Sequence, residues 1–210
     1  MRVVDDQPVA AGFFGQGRWL SSYIQPSDLE VRNLYEKLIL NTGTAESRIL
    51  NCWTWVANKV QYKAFIKASI NIEGQTYHQP DYWQDPGMCC VTKVGNCVNK
   101  AFLLTSLLRN ELQADEVYCV LGNLYNGKAG GHAWVQIRFG NRDYIMESTR
   151  PDVQPMVPVE IATRYEAVHI FNDVERYVIP GKTVMEPYAK AYSAWLVDYI
   201  DWCYVEGRKK

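Results

Sequence analysis

The run from Cys97 to Leu112 restricts the fold more than any other segment. Ala101, Leu104, Leu108 and Leu112 recur at helical spacing, and Phe102 and Leu107 flank that stripe. A helix apolar on nearly every side has to lie inside a core, so other elements must cover it all round. With 210 residues, 48% hydrophobic and 13% aromatic, the chain has the apolar surface for one such core without covalent staples. Its length fits a single domain with terminal extensions.

Two amphipathic helices are expected ahead of this buried one. Ser27-Asp28-Leu29-Glu30 has the form of a capping box, and Leu29, Val31, Leu34, Leu38 and Leu40 follow as a stripe that stops at Asn41-Thr42-Gly43. A second helix is expected from about Ala45 to Val60, with Ile49, Leu50, Trp53, Val56, Ala57 and Val60 on one face. Residues 1–25, with Gly12, Gly15 and Gly17, read as an irregular arm, leaving residues 26–206 as the domain. Residues 61–94 break the pattern and read as a long, partly extended connection, a kind of segment that often carries function.

After Leu112 the period changes to two. Strands are expected at Glu116–Leu121, His132–Phe139, Asp143–Glu147, Ala167–Phe171 and Arg176–Ile179, with a glycine-rich loop over Gly122–Gly131. Gly140-Asn141 is a two-residue hairpin signal. A last helix is expected over Val184–Tyr204, where Tyr188, Ala191, Tyr192, Trp195, Tyr199 and Trp202 form an aromatic stripe suited to packing or self-association. The sum is an α+β protein with N-terminal helices packed on an antiparallel sheet.

Charge narrows the partners. Twenty-two Lys and Arg against 23 Asp and Glu give a formal charge of −1 and a pI near 6.3, which lacks the footprint of a nucleic-acid or anionic-membrane binder. No apolar run approaches the ~18 residues of a membrane span, and Asp5 and Asp6 interrupt any signal-like segment. Six cysteines match no small disulfide framework and read as free thiols in a reducing, cytoplasmic setting. The neighbours Cys89 and Cys90 lack the bite of a zinc site, and neither a phosphate-cradling loop nor an HExxH motif occurs, so no metal and no cofactor are expected.

Cys97 opens the buried helix. There the macrodipole and unpaired N–H groups favour thiolate, Lys93 and Lys100 add positive charge, and the Cys97 N–H points where an oxyanion would form. Gly95 leaves space for a substrate backbone to approach. Taken alone, Cys97 reads more readily as an ordinary buried thiol. His132 follows Gly130-Gly131 and opens a strand, whereas His78 and His169 read as structural. With Gly140 and Asn141 as the turn, Phe139 pairs with Arg142 and Trp134 faces Glu147, which places Glu147 diagonal to His132 on one face. A diagonal neighbour lies within side-chain reach and would orient the imidazole. A one-residue slip would put Glu147 on the other face, leaving Asp143 and Asp152 as fallback acids.

Three strings together resemble the transglutaminase-like superfamily of cysteine enzymes. They are Gly95-Asn96-Cys97-Val98-Asn99-Lys100-Ala101-Phe102-Leu103-Leu104, Gly131-His132-Ala133-Trp134-Val135, and Tyr144-Ile145-Met146-Glu147-Ser148-Thr149. Asp81-Tyr82-Trp83-Gln84-Asp85-Pro86 is similar to a Trp-Gln-x-Pro stretch of its bacterial branch. The resemblance covers residues 50–150 and implies a papain-like core, a Cys97–His132–Glu147 triad and hydrolysis of amide bonds in a peptide or protein substrate. Acyl transfer to an amine, or a binding module without chemistry, are its alternatives. It further implies a second oxyanion donor upstream of the cysteine, for which Tyr62, Trp83 and Gln84 are the candidates. Two departures stand out, Asn96 for the frequent Asp and Glu147 where the triad acid is usually Asp.

Overall fold

The computed structural model describes residues 2–3, 19–64, 68–72, 75–79, 83–126 and 128–185. Its helices are α1 (Leu29–Ile39), α2 (Ala45–Lys59), α3 (Pro86–Thr92) and α4 (Cys97–Leu108). The first strands are β1 (Arg2–Val3), β2 (Gln61–Tyr62), β3 (Ala68–Ile72), β4 (Gln75–Gln79) and β5 (Val94–Gly95). After α4 come β6 (Val117–Asn126), β7 (Lys128–Phe139), β8 (Arg142–Met146), β9 (Val157–Pro158), β10 (Tyr165–Phe171) and β11 (Arg176–Val178). The main sheet runs β1-β11-β10-β6-β7-β8-β9 with every neighbouring pair antiparallel. Helices precede the sheet and pack on it, so the fold is α+β as the sequence pattern implies.

All twelve residues of α4 are buried. Its apolar residues share one core with Ile49, Trp53 and Val56 of α2, Val117, Cys119 and Leu121 of β6, and Ala133, Val135 and Ile137 of β7. These strand residues alternate, which puts one sheet face on the helix. The other face carries a smaller cluster around Val120, Trp134, Ile145 and Ile170. The helix ends at Leu108 and not at Leu112. Asn110 and Glu111 donate to Leu107 and Leu108 in tight i to i−3 bonds, and the Arg109 guanidinium takes the Leu112 carbonyl at 2.6 Å.

One charged residue of α4 is buried with it. The Lys100 ammonium donates to the Ala57 carbonyl at 3.2 Å and the Val60 carbonyl at 2.9 Å, so it closes the C-terminus of α2. Burial holds its pKa down at about 8, against the pull of Cys89 and Glu147. Glu111 makes a second tie. Its carboxylate receives Arg48 of α2 through two bonds of 2.7 Å and the Tyr35 hydroxyl of α1 at 2.5 Å.

Four local expectations need correction. The N-cap of α1 is Asp28, whose carboxylate accepts from the N–H groups of Glu30 and Val31; the capping box at Ser27 starts one residue early. A carboxylate also complements the helix dipole there. The connection over 61–94 contains α3, which Pro86 opens at the first helical position. The arm contributes β1, paired to β11, and a buried 3-10 turn at Leu20–Tyr23, while residues 4–18 lie outside the described residues. At the other end Val184 and Met185 are not helical; residues 186–204 of the expected aromatic helix lie outside the described residues.

The fifth correction concerns Gly122–Gly131, which is no loop. β6 and β7 run on as a ladder from Val117↔Ile137 to Asn126↔Lys128. Gly122 sits in mid-strand because β10 passes close by. A Cβ there would collide with the Glu166 carbonyl and the Trp134 ring, whereas one on Gly130 would meet nothing. Gly122→Ala is therefore expected to lower stability by about 3 kcal/mol in urea unfolding, and Gly130→Ala to change it by less than about 0.5 kcal/mol.

Candidate active site

The approach to Cys97 is fixed by backbone. Lys93 turns the chain through the left-handed region (φ 52°) at the end of α3, and β5 then pairs in parallel with β2. Gln61 N–H donates to the Lys93 carbonyl at 2.8 Å, and Lys63 N–H to the Gly95 carbonyl at 3.1 Å. Asn96 caps α4 in a reciprocal box with Asn99. Each side-chain oxygen accepts the other's backbone N–H, at 3.1 and 3.2 Å. The amide in place of Asp thus performs the capping in full. Cys97 is the first residue of the helix and is 1% exposed.

The β7–β8 hairpin has the register expected from its turn. Phe139 pairs with Arg142 and Val135 with Met146, and Gly140 adopts positive φ. One residue beyond β8, the Glu147 Oε2 atom lies 2.7 Å from His132 Nε2. The imidazole is also hydrogen-bonded to the Cys97 side chain. Cys97, His132 and Glu147 therefore form one continuous chain of contacts. The fallback acids are elsewhere, Asp143 on Arg138 and Asp152 on Arg150, at the surface.

Glu147 is only 3% exposed, and both its oxygens are fully engaged. Oε1 accepts the Thr149 N–H at 2.9 Å and its hydroxyl at 2.5 Å; Oε2 accepts the Tyr165 hydroxyl at 3.0 Å in addition to His132. Trp53 of α2 donates its indole N–H to the Glu147 carbonyl at 2.9 Å. Burial opposes the charge, yet His132 and the Thr149 donors together hold the carboxyl well below the usual range. For His132, burial likewise disfavours the cation, and Glu147 and Cys97 outweigh it and raise its proton affinity. Trp134 stacks against the imidazole at 6.2 Å with a 26° tilt between planes. Tyr165 packs on both rings.

The remaining sequence candidates separate cleanly. Tyr62 is registered directly opposite Gly95, two residues from the sulfur-bearing position. Trp83 instead packs edge-on against Tyr23 and Phe102, in the aromatic core. Gln84 braces the loop before α4: its amide donates to the Val94 carbonyl at 2.9 Å and accepts from the Thr92 hydroxyl. Gly95 is closed in by Asn99, Cys89 and Val60, so its lack of a side chain serves packing and not substrate approach. Lys100 points to α2, not to the sulfur, and Lys93 lies exposed. Tyr165, Thr149 and Trp53 were not anticipated. Thr149 was visible in the Glu-Ser-Thr string, whereas nothing local marks Tyr165 or Trp53.

A sulfur at a helix N-terminus, an imidazole on an adjacent strand and an orienting carboxylate on the next define the constellation of a thiol acyl-transfer centre. The sequence model of the transglutaminase-like domain matches residues 29–176, and the chain belongs to that family. No curated protein matches by sequence. Among solved structures, LapG of Legionella pneumophila is similar at 15% identity and a TM-score of 0.48, over 80% of this chain and 82% of that one. Its EGTA-treated form is similar at 14% identity and a TM-score of 0.44, over 79% of this chain and 95% of that one. A Cytophaga hutchinsonii protein described as a candidate cysteine protease shows 19% identity and a TM-score of 0.44, over 79% of this chain and 55% of that one. The family assignment rests on the sequence match and the triad on its own geometry.

The His132–Glu147 pair also sets a pH signature. A raised histidine contributes stability below its ordinary pKa near 6.5 and loses it as pH rises through the folded value; a depressed glutamate contributes above about 4.3 and loses it as pH falls. The difference in unfolding free energy between wild type and Glu147→Gln is therefore expected to peak between about pH 4.5 and 6.5 and to shrink on both sides. A flat difference in urea titrations across pH would show the pair to be uncharged.

Proposed function

We propose that the chain is a cysteine-dependent amide hydrolase acting on a peptide or protein substrate. The observation that carries this reading is the unbroken Cys97–His132–Glu147 hydrogen-bonded chain. The raised proton affinity of His132 keeps the thiol proton on the imidazole, and Sγ attacks the substrate carbonyl carbon. The tetrahedral oxyanion is met by the Cys97 N–H at the open end of α4, with Tyr62 as second donor from β2. Collapse breaks the C–N bond, and His132 returns the proton to the leaving amine. Water, deprotonated by His132, then hydrolyses the thioester and regenerates the thiol. Glu147 keeps the ring oriented and stabilises its cation throughout, and the longer glutamate reaches because Thr149, Tyr165 and Trp53 hold it in place. Hydrolysis is favoured over transfer to an amine because water needs no second substrate site.

Burial pushes the Cys52, Cys89 and Cys90 thiols up to about 12, and Cys119 is raised as well. Iodoacetamide is thus expected to modify Cys97 first among these five, as read by peptide mass mapping. On peptide-amide libraries Cys97→Ala and His132→Ala should each lose about 1,000-fold or more in kcat, and Glu147→Gln about 100-fold. Even labelling of all the cysteines would contradict the proposal. Product carrying an added primary amine in place of free acid would assign acyl transfer instead.

A further inference from the structure

Asn123 is 1% exposed, at the end of β6 that lies beside the catalytic strand. Its neighbour Gly122 is the ladder partner of His132, and Asn123 itself faces Gly131. By strand alternation it follows Val117, Cys119 and Leu121 on the face that covers α4. β6 leaves the C-terminal end of α4 and runs back along it. The Gly122–His132 pairing and the contact of His132 with Cys97 bring this part of β6 to the N-terminal end of α4.

The Asn123 amide holds a piece of backbone there. Its Oδ1 accepts the Met185 N–H at 2.8 Å, and its Nδ2 donates to the Thr183 carbonyl at 3.1 Å and to Glu166 Oε2 at 3.0 Å. Accepting from one residue and donating to the carbonyl two before it is the hydrogen-bond pattern by which one parallel strand reads another. Such a contact recognises extended polypeptide with no demand on its side chains. The strap crosses the sheet in order: Lys182 is paired with Glu166 of β10 at 2.9 Å, Thr183 and Met185 are held at β6, and β7 with His132 is next. Val184, between the two held groups, packs on the core that includes Cys97.

We infer that Asn123 is the polypeptide-backbone clamp of the substrate site, and that the chain's own Lys182–Met185 strap fills it. The strap then competes with an extended peptide for one amide, and its release is what admits substrate to the sulfur. This deepens the hydrolase reading and rests on it for the identity of the competitor. The clamp and the occlusion are structural and are read separately.

The test uses the full chain. Met185→Pro removes the N–H that Asn123 accepts and keeps the strap extended, and Met185→Ala retains that N–H. Iodoacetamide modification of Cys97, followed by peptide mass mapping, is expected to accelerate about tenfold in Met185→Pro and to change less than twofold in Met185→Ala. Lys182→Ala, which leaves the backbone untouched, should accelerate it about threefold and covers the case in which the proline variant fails to fold. Unchanged labelling in the folded variants overturns the inference. Asn123→Ala should open the thiol equally but show a KM for peptide-amide substrates about tenfold above that of Met185→Pro or Lys182→Ala, in which the strap is loosened and Asn123 retained; an equal KM removes Asn123 from the substrate site. Faster labelling with no turnover in any variant leaves the strap standing and rejects the hydrolase reading.

Discussion

The exclusion of water from α4 is the constraint from which the rest follows. A helix with twelve buried residues needs a helical layer on one side and a sheet face on the other, and its N-terminus then opens where those two layers meet. The first residue is Cys97, so its sulfur sits at the seam between layers. Lys100 is the charged residue of α4 inside that core. Its ammonium answers the carbonyls that α2 leaves unpaired, which binds the end of one helix to the side of another and sets where β2 begins. Through the β2–β5 bridge the same tie positions Val94 and Gly95, which lead into Asn96 and Cys97.

Glu147 is the most heavily braced of the three groups in the Cys97–His132–Glu147 chain. Four donors from three residues converge on the Glu147 carboxylate, and a fifth donor, the Trp53 indole, fixes its backbone. Such saturation keeps a buried carboxylate charged, and the charge in turn holds the proton on His132. The imidazole is confined further by Trp134 and Tyr165, so its orientation is set by packing as well as by hydrogen bonds.

Much of this was legible in the residues because periodicity and turn chemistry are local. The apolar density of α4, the spacing of α2 and the Gly140-Asn141 turn each carry their own signal, and the hairpin register alone brings Glu147 to His132. What local pattern misreads is equally physical. Gly122, Gly130 and Gly131 look like a loop, but β10 approaches so closely that only glycine fits at Gly122. Trp83 and Gln84 look like site residues by sequence proximity, while a long connection turns them into the core and the α3–β5 loop. Tyr165 reaches Glu147 from a strand two places away in the sheet from β7, a contact that no window of sequence contains.

The Trp53 indole bond has a mechanical meaning. It hangs the acid from α2, an element on the far side of the buried helix, although the acid itself grows out of the sheet. The two halves of the molecule are thereby yoked at the backbone of the residue whose carboxylate meets the imidazole. Loosening of the helical layer would be felt as a drift of the carboxylate before the sheet itself lost a single rung, so the chemistry would serve as the first gauge of the fold's integrity.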